Sequence, residues 1–241
     1  MSDQRADPRG ADTFSSAMEG ANHYNRWIVS AFAPYMGHSV LEVGIGHGAF
    51  HDLLGRHGYV GVDIDRAMVE RARRARPGVE WLVADVAEEG FPGLIGDRRF
   101  DTVLCVNVLE HVREQEVGLR NMFGVLAPGG HLLLFVPAFK SLYTDLDRLA
   151  GHLRRYRARQ VRRLLVGAGA EVLMAEYFNP VGGVGWWLNR FLSHRALESE
   201  VVESQVRFFD RYVLPASRAL NPVTRGFFGQ SVIAAARKPT S

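Results

Sequence analysis

The chain has 241 residues, 47% of them hydrophobic, which is enough for one sizeable α/β domain. Its formal net charge is only +3, and its basic residues are scattered, without the basic stripe and interleaved aromatic residues of nucleic-acid binders. The sequence therefore predicts no nucleic-acid partner. The single cysteine, Cys105, excludes an internal disulfide and a thiolate zinc cage, and its apolar neighbours indicate a buried thiol.

We expect neither a leader nor a membrane-spanning segment. No cationic and then apolar leader opens the sequence, and no stretch is apolar for long enough to span a bilayer. We therefore expect a cytoplasmic protein, monomeric or homodimeric, and leave peripheral association with a membrane open. Residues 1–16 are polar and rich in Asp, Arg and Gly, which predicts a disordered tail before a single domain over 17–241.

The first half of the domain predicts alternating strands and helices. A helix is expected over Tyr24–Phe32, ending before Pro34. The predicted strands are Ser39–Val43, Val60–Asp63, Glu80–Val83, Thr102–Val106 and Leu132–Val136. The predicted helices between them are Ala49–His57, Arg66–Ala75 and Val112–Leu126, with Pro128–Gly130 as the turn into the fifth strand. Such alternation is typical of a parallel sheet with helices on both faces.

The second half is less regular. A helix is predicted over Arg159–Ala168, and strands are predicted over Glu171–Phe178 and Ser231–Arg237. The predicted fold class is α/β, with a Rossmann-like seven-stranded mostly parallel sheet, helices on both faces and a helical insertion before the last strand. Its core covers 24–178 and 231–238, and the insertion, 179–230, forms a cover.

The insertion carries aromatic and aliphatic side chains. For Trp186, Trp187 and Phe191, an apolar acceptor pocket, a subunit contact and packing within the cover all stay open. For the stripe of Val202, Val206, Phe209 and Val213 at helical spacing, core packing is expected.

The stretch Val40–Gly48 runs from an apolar strand into a glycine-rich turn, with Glu42 just before the first glycine. Such a turn lets the backbone approach a ligand closely. It also satisfies the dinucleotide fingerprint, with Ala49 at the third small position. An NAD(P)-dependent oxidoreductase is therefore one alternative, although no Tyr-x-x-x-Lys pair supports it.

Polar residues follow the next three strands. Asp63 closes the second strand, Asp85 follows the third and Asn107 follows the fourth. In a doubly wound sheet, ligands bind outside the carboxyl ends of the strands. A carboxylate after the second strand can accept both hydroxyls of a ribose, and one after the third can accept the adenine amino group. The pattern predicts an adenosine lying across the strand ends.

The chain resembles the class I S-adenosylmethionine-dependent methyltransferases. The motifs that carry the resemblance are Leu41–Gly48, Gly61–Asp65, Ala84-Asp85, Phe100–His111 and Leu126–Leu134, in the family's order and spacing. The resemblance implies S-adenosylmethionine as cofactor and S-adenosylhomocysteine as product. It places Gly44, Gly46 and Gly48 along the methionine part, Glu42 at its ammonium end, Asp63 at the ribose and Asp85 at the adenine, with Tyr24, Ile64, Val86 and Asn107 completing the cofactor set.

Structural roles for these residues stay open beside the functional ones. Glu42 could be a helix-terminal charge, and Asp63 or Asp85 could cap a helix, although Asp65 is the better capping candidate. Glu110 and His111 are interpreted as the start and anchor of the following helix and are left out of the catalytic set. Tyr24 and Trp27 are expected to close over the cofactor as a lid.

The segments Pro137–Asp147 and Gly151–Tyr156 leave the sheet at its carboxyl edge and should border the donated methyl group. With the ending Phe228–Ile233, they resemble a subset of bacterial methyltransferases whose substrates vary. His152 is the candidate general base, because an unperturbed imidazole titrates near neutral pH.

Three further residues complete the catalytic candidates. Asp147 is expected to orient His152 or bind the acceptor, Tyr156 to hydrogen-bond the acceptor, and Arg155 to hold an anion or a developing phenolate. A structural network of Asp147, His152 and Arg155 is an equal alternative. No metal centre is expected, because Asp145 and Asp147 would lie on opposite faces of an extended chain.

The predicted function is methyl transfer to an oxygen, nitrogen or carbon atom of a small apolar or aromatic metabolite, in the manner of secondary metabolism. One alternative is a lipid-linked or cell-envelope substrate, suggested by the apolar insertion. The other, of a different class, is a binding protein that keeps the fold and the cofactor site without transferring a methyl group.

Overall fold

The computed structural model describes residues 22–46, 48–55, 58–189, 204 and 208–240. Its strands are β1 (Val40–Val43), β2 (Tyr59–Asp63), β3 (Glu80–Val83), β4 (Phe100–Val106), β5 (Leu126–Pro137), β6 (Glu171–Phe178) and β7 (Ser231–Arg237). They form one seven-stranded sheet in the order β3-β2-β1-β4-β5-β7-β6. The first five strands are parallel, and β7 runs antiparallel to both β5 and β6. The predicted mostly parallel sheet is confirmed.

The described helices are α1 (Asn22–Phe32), α2 (Ala49–Leu54), α3 (Arg66–Ala75), α4 (Phe91–Ile95), α5 (Gln115–Gly124), α6 (Asp145–Leu149), α7 (Ala158–Gly167), α8 (Pro180–Asn189) and α9 (Leu214–Thr224). A π-helical turn, Phe209–Val213, precedes α9. The helices α8 and α9 lie between β6 and β7 and are the described part of the predicted insertion.

The core has two layers, one on each face of the sheet, because the central strands are apolar on both sides. In β5, Leu132 and Leu134 pack into the layer that contains side chains of α4, α5 and α7. Leu133 and Phe135 point the other way, into the layer built with α1, α3 and α9. This alternation with a period of two explains why β5 reads as a continuous apolar run.

Some predicted boundaries are wrong. Pro128–Gly130 lies inside β5, where the pairing with β4 shifts register, and does not form a turn before the strand. A Cβ atom on Gly130 would lie 2.9 Å from Ala127 O, so the chain passes there without a side chain. The helix predicted over Val112–Leu126 is shorter, because it begins at Gln115 and ends before the first residue of β5.

Two short helices, α4 and α6, were not predicted. The helix α6 contains Asp145 and Asp147, so the expectation of an extended chain there is wrong. Asp145 is exposed and pairs with Arg148, whereas Asp147 is fully buried. The different environments come from the helix, which turns one carboxylate to solvent and the other to the core.

Several predictions fall outside the described residues. They concern the tail 1–16 and the side chains of Phe191, Val202 and Val206. The helix predicted over Ala49–His57 is too long, because it ends at Leu54 and Gly55 follows it in a left-handed conformation with a φ of +53°. Within the described ranges, no helix has the length and apolar character needed to cross a membrane.

Candidate functional site

The carboxyl ends of β3, β2, β1 and β4 lie side by side, because these strands are consecutive neighbours in the sheet. The strand order reverses between β1 and β4, and the crevice outside such a reversal is where open α/β sheets bind ligands. Glu42, Asp63, Asp85 and Asn107 all lie in or directly after these strands. The structure therefore brings the predicted cofactor residues to one edge.

The turn after β1 requires glycine at its first position. Gly44 has a φ of +77° and donates its backbone N–H to Val62 O at 2.8 Å. A Cβ atom there would lie 2.1 Å from Cγ2 of Val108, so any larger residue would collide with the segment after β4. Gly46 and Gly48 also have positive φ, a backbone conformation that residues with side chains disfavour.

Glu42 is a carboxyl group buried beneath this turn, with 1% of its surface exposed. It accepts a hydrogen bond from the Tyr59 hydroxyl. Burial raises the pKa of Glu42 to about 8, although the hydrogen bond from Tyr59 opposes that rise. A cation bound at Glu42 would favour its charged form, which makes this carboxyl a fit for the ammonium end of a ligand.

Asp63 joins the turns that follow β1 and β2. Its Oδ1 accepts the backbone N–H of Asp65 at 2.9 Å, and its Oδ2 accepts that of Gly46 at 3.3 Å. Burial raises the pKa of Asp63, and these backbone hydrogen bonds oppose the rise. Asp65, and not Asp63, caps α3, since its Oδ1 accepts the N–H of Ala67 at 2.7 Å. The preference for Asp65 as the cap is confirmed.

Asp85 lies in a turn after β3 and accepts the backbone N–H of Ala87 at 2.8 Å. The next helix, α4, begins only at Phe91, so Asp85 does not cap it. Val86 is buried and its carbonyl accepts the side-chain amide of Asn121 at 2.8 Å, whereas Ile64 is 39% exposed. The two apolar positions of the predicted cofactor set thus differ in accessibility.

Asn107 ends β4 in a left-handed conformation, with a φ of +53°. Its N–H still donates to Phe135 O at 2.8 Å, so the strand pairing continues to this residue and the chain turns immediately after it. Non-glycine residues in this conformation are uncommon, and asparagine is among those that tolerate it. The turn leads the chain into Glu110 and His111.

Tyr24 and Trp27 of α1 are packed into the core. Trp27 stacks on Phe178 with ring centroids 3.9 Å apart, and Tyr24 lies 6.2 Å from Phe135. Burial raises the pKa of Tyr24 to about 12. The backbone N–H of Tyr24 donates to Asp210 at 2.8 Å, which ties α1 to the turn before α9. Their closure over the cofactor stays a prediction.

Asp147 is the centre of a buried polar network. Its Oδ1 accepts from Nε of Arg155 and lies 2.7 Å from Nδ1 of His152. Its Oδ2 lies within hydrogen-bond distance of the Thr144 N–H, of Nη2 of Arg155 and of the Trp186 indole N–H. Burial raises the pKa of Asp147, but the hydrogen bond to His152 and the charge of Arg155 outweigh it and lower the value to about 2.

Arg155 is held entirely by protein groups. Besides its bonds to Asp147, its Nη1 donates to Ala138 O at 3.0 Å, and its guanidinium lies 5.2 Å from the ring centre of Trp186. These contacts favour the structural alternative for Arg155, in which it neutralises Asp147. Trp187, which follows Trp186 in α8, is 43% exposed. The two tryptophan side chains therefore lie in different surroundings.

Tyr156 is 3% exposed and anchors the loop that contains His152. Its hydroxyl lies 3.0 Å from both Leu109 O and Oε1 of Gln115, so its one proton has two acceptors within hydrogen-bond distance. Burial and the nearby Glu110 raise the pKa of this hydroxyl. Tyr156 therefore fixes the segment after β4 against the chain that precedes α7.

Glu110 and His111 also lie at this site, although sequence reasoning set them aside. The helix after them begins at Gln115 and has Glu114 as its N-terminal flank, so the expectation that they start it is wrong. Glu110 is fully buried, and burial raises its pKa to about 7. His111 packs edge-on against His152, with ring centroids 4.9 Å apart. The adjacency of a glutamate and a histidine just after β4 was the available signal.

Comparisons with known proteins agree with this geometry. Residues 41–134 match the family described as a methyltransferase domain. A Mycolicibacterium smegmatis protein named "Probable S-adenosylmethionine-dependent methyltransferase" is 32% identical over 140 residues, which are 56% of this chain and 53% of that protein. The ubiquinone/menaquinone biosynthesis C-methyltransferase of Vibrio vulnificus is 30% identical over 158 residues, or 59% of each. The chain thus spans about half to three fifths of these relatives.

Two solved structures share the fold. The (4+2)-cyclase SpnF matches with a TM-score of 0.59 at 20% identity, covering 91% of this chain and 81% of that one. A SAM-dependent methyltransferase from Archaeoglobus fulgidus matches with a TM-score of 0.59 at 18% identity, covering 90% and 94%. At these identities the solved structures show the fold alone, and they agree with the match of residues 41–134 to the methyltransferase-domain family and with the similarity to a relative named as an S-adenosylmethionine-dependent methyltransferase.

Proposed function

We propose that this chain transfers a methyl group from S-adenosylmethionine to an oxygen, nitrogen or carbon atom of a small apolar or aromatic acceptor. The observation that carries the proposal is Glu42, a buried carboxyl with a raised pKa beneath a turn that only glycine can form. A cationic ammonium group bound there would offset the cost of ionising Glu42 in the core. Residues present in the chain therefore fit the methionine end of the cofactor.

The adenosine end fits the next two strands. Each oxygen of Asp63 accepts one backbone N–H, and a carboxylate has about four acceptor positions, so capacity for ribose hydroxyls remains. Asp85, at the end of the neighbouring strand, is the proposed acceptor for the adenine amino group. When bound, S-adenosylmethionine supplies a methyl group on a cationic sulfonium and leaves as S-adenosylhomocysteine.

His152 is the proposed proton acceptor for hydroxyl or amine acceptors. Asp147 is ionised at neutral pH and accepts from Nδ1 of His152, so in the neutral imidazole Nε2 keeps its lone pair. The acceptor's proton would move to this Nε2 as the sulfur–methyl bond breaks and the bond from acceptor to methyl forms. In this scheme Arg155 and Tyr156 are positioning residues, because their polar atoms bind protein groups.

Two observations support an apolar acceptor, namely the names of relatives and the position of Trp186. Relatives of this chain are named as a C-methyltransferase of ubiquinone/menaquinone biosynthesis and an O-methyltransferase of ubiquinone biosynthesis. Trp186 packs on Arg155, and its indole N–H lies within hydrogen-bond distance of Asp147, the carboxylate that also contacts His152. Aromatic side chains provide apolar contact area for a ring-shaped acceptor.

A lipid-linked or cell-envelope acceptor is a second candidate. It is favoured by exposed apolar side chains on α8, on α9 and near them, among them Val184, Trp187, Leu188, Phe208, Tyr212 and Val223. Co-sedimentation with vesicles of the organism's own lipids separates the two candidates. Sedimentation of the chain favours the lipid-linked acceptor, and a chain that stays in the supernatant favours the soluble one.

A calorimetric titration with S-adenosylmethionine, and with NAD as comparison, tests cofactor choice. Heat with NAD alone would contradict the proposal. Incubation with methyl-labelled cofactor and extracts of the source organism then tests transfer. This second step is needed because a structure with the same fold is named a cyclase. Binding without any labelled product would favour a non-catalytic binding protein.

The variant His152→Ala tests the catalytic assignment. It should bind S-adenosylmethionine like the wild type and transfer the methyl group about a hundredfold or more slowly, because a general base contributes at least that factor. The matched control is His38→Ala, an exposed histidine at the opposite end of β1, which should keep both properties. Wild-type turnover in His152→Ala would remove the assignment.

A further inference from the structure

We propose that Glu110, His111 and His152 bind one divalent transition-metal ion of the zinc type. One donor atom from each residue lies within 4.8 Å of the others. Glu110 and His111 follow β4, and His152 precedes α7. The backbone N–H of Leu153 donates to Glu110 O at 2.9 Å, which holds these two segments together.

The carboxyl group of Glu110 lacks a hydrogen-bond partner in the described part of the chain, and this indicates a ligand at the site. Its side chain is fully buried, and neither Oε1 nor Oε2 has a hydrogen-bond partner among the described residues. Buried polar groups without partners are rare in proteins, because the lost hydration is not replaced. A metal ion between Glu110 and the two imidazoles would supply the missing partner for this carboxylate.

His152 is oriented as a metal ligand. Its Nδ1 lies 2.7 Å from Oδ1 of Asp147, the arrangement in which an outer carboxylate fixes the tautomer of a ligating histidine. The opposite atom, Nε2, lies 3.9 Å from Oε1 of Glu110, which is too long for a hydrogen bond. Two ligands of one zinc ion with bonds of about 2.1 Å lie about 3.4 Å apart, so these two atoms would need to approach each other by about 0.5 Å.

The donor set selects the class of ion. Two imidazoles and one carboxylate are ligands for zinc and its first-row neighbours, whereas magnesium and calcium prefer oxygen atoms only. Three protein ligands also leave a coordination position open, as in catalytic zinc sites. Glu110 lies three residues beyond Asn107, so this position borders the edge of the sheet that carries the cofactor residues.

The open coordination position of the ion suggests which chemical class of acceptor the chain would methylate. This step rests on the methyl transfer proposed above. An alcohol or phenol oxygen bound to the ion would lose its proton to water, because the ion lowers the pKa of a bound hydroxyl. The sulfur–methyl bond of the cofactor would then break as the oxygen–methyl bond forms. In this metal-bound form His152 would hold the acceptor in place through the ion, and the proton transfer to Nε2 described under the proposed function would belong to the metal-free chain.

The test is a zinc titration of the full-length, tag-free and metal-stripped chain in competition with a chromophoric chelator. We expect one equivalent of Zn²⁺ to bind, and Mg²⁺ not to displace it. Glu110→Gln and His152→Gln should each weaken binding about a hundredfold, since each removes a ligand. The matched control His38→Gln should bind like the wild type. Circular dichroism confirms that each variant is folded.

A second readout needs no variant. Co²⁺ added to the wild-type chain should give the visible absorption bands of a four- or five-coordinate site with nitrogen ligands. Absence of stoichiometric binding of both Zn²⁺ and Co²⁺ overturns the proposal, and so does zinc binding that survives Glu110→Gln and His152→Gln unchanged. A calorimetric titration of the metal-free chain with S-adenosylmethionine keeps the two proposals apart: cofactor binding without metal binding leaves His152 as the general base.

Discussion

Two buried carboxyl groups flank the carboxyl edge of the sheet, and their surroundings shift their pKa values in opposite directions. Glu42 has a tyrosine hydroxyl as its partner, so burial dominates and its pKa rises to about 8. Asp147 has an arginine and a histidine within hydrogen-bond distance, so the hydrogen bond to His152 and the charge of Arg155 dominate and its pKa falls to about 2. The difference agrees with the proposed role of Glu42 toward an external cation, whereas Asp147 already has protein partners.

Substitution of Asp63 tests the adenosine site. Asp63→Ala should abolish binding of S-adenosylmethionine, because it removes the proposed ribose acceptor and releases the backbone N–H of Gly46. Asp65→Ala is the matched control, since it removes the cap of α3 and should cost about 1 kcal/mol of stability while leaving binding intact. Calorimetric titration and urea unfolding measure the two effects. Equal loss of binding in both variants would contradict the assignment.

Glu42→Gln should change how stability depends on pH. In the ligand-free wild type, the folded state keeps the proton of Glu42 to about pH 8, whereas the unfolded chain loses it near 4.5, so stability falls as pH rises between these values. Each pKa unit corresponds to about 1.4 kcal/mol, and the total loss is therefore a few kcal/mol. Urea unfolding at pH 5.5 and 8.5 should show that Glu42→Gln removes much of this fall, and the exposed Glu89→Gln should not.

At the scale of elements, the turn between β1 and α2 is determined by backbone conformation. The positive φ of Gly44 and its approach to Val108 both exclude a side chain. The same approach joins the turn after β1 to the segment after β4. The cofactor turn and the segment that leads to Glu110 therefore form one packed unit.

Gly44→Ala should destabilise the fold by about 1–3 kcal/mol, because it adds backbone strain and a contact of 2.1 Å with Val108. It should also weaken binding of S-adenosylmethionine, since the turn must move. Gly78→Ala is the control, because its Cβ would meet nothing within 4 Å and its φ is not positive. Thermal unfolding and calorimetry compare them, and a Gly44→Ala variant as stable as Gly78→Ala would show that the turn adapts.

At the scale of the molecule, Asp147 connects parts of the chain that are distant in sequence. It contacts Thr144 and its own helix α6, Arg155 before α7 and Trp186 in α8. These contacts hold the described part of the insertion against the sheet edge where the candidate site lies. Loss of this carboxylate charge should therefore affect the whole fold.

Asp147→Asn should lower stability by about 3 kcal/mol, because it leaves the buried Arg155 without its counter-charge. The control in the same helix is Asp145→Asn, an exposed partner of Arg148 that should cost less than about 1 kcal/mol. The wild type should also lose stability as pH falls from about 4 to 2, when the carboxylate of Asp147 is protonated. An acid unfolding curve for Asp147→Asn identical to that of the wild type would contradict this account.

The sequence by itself determined the alternation of strands and helices, the glycine turn after β1 and the placement of Glu42, Asp63 and Asp85 at the strand ends. These features depend on neighbouring residues, because apolar periodicity and positive φ are local properties. For the same reason β3, β6 and β7 have the predicted bounds.

Only the tertiary structure decided which side chains meet across distant segments. It paired Arg155 with Asp147, turned Asp145 to solvent through the unpredicted helix α6, and brought His152 to Glu110 and His111. Sequence spacing does not encode such contacts, because they depend on the paths that the chain takes after β4 and after β5. They also depend on which polar groups become buried and so need protein partners in place of water. The candidate acceptor site was therefore incomplete in the sequence, whereas the positions of Glu42, Asp63 and Asp85 at the strand ends followed from it.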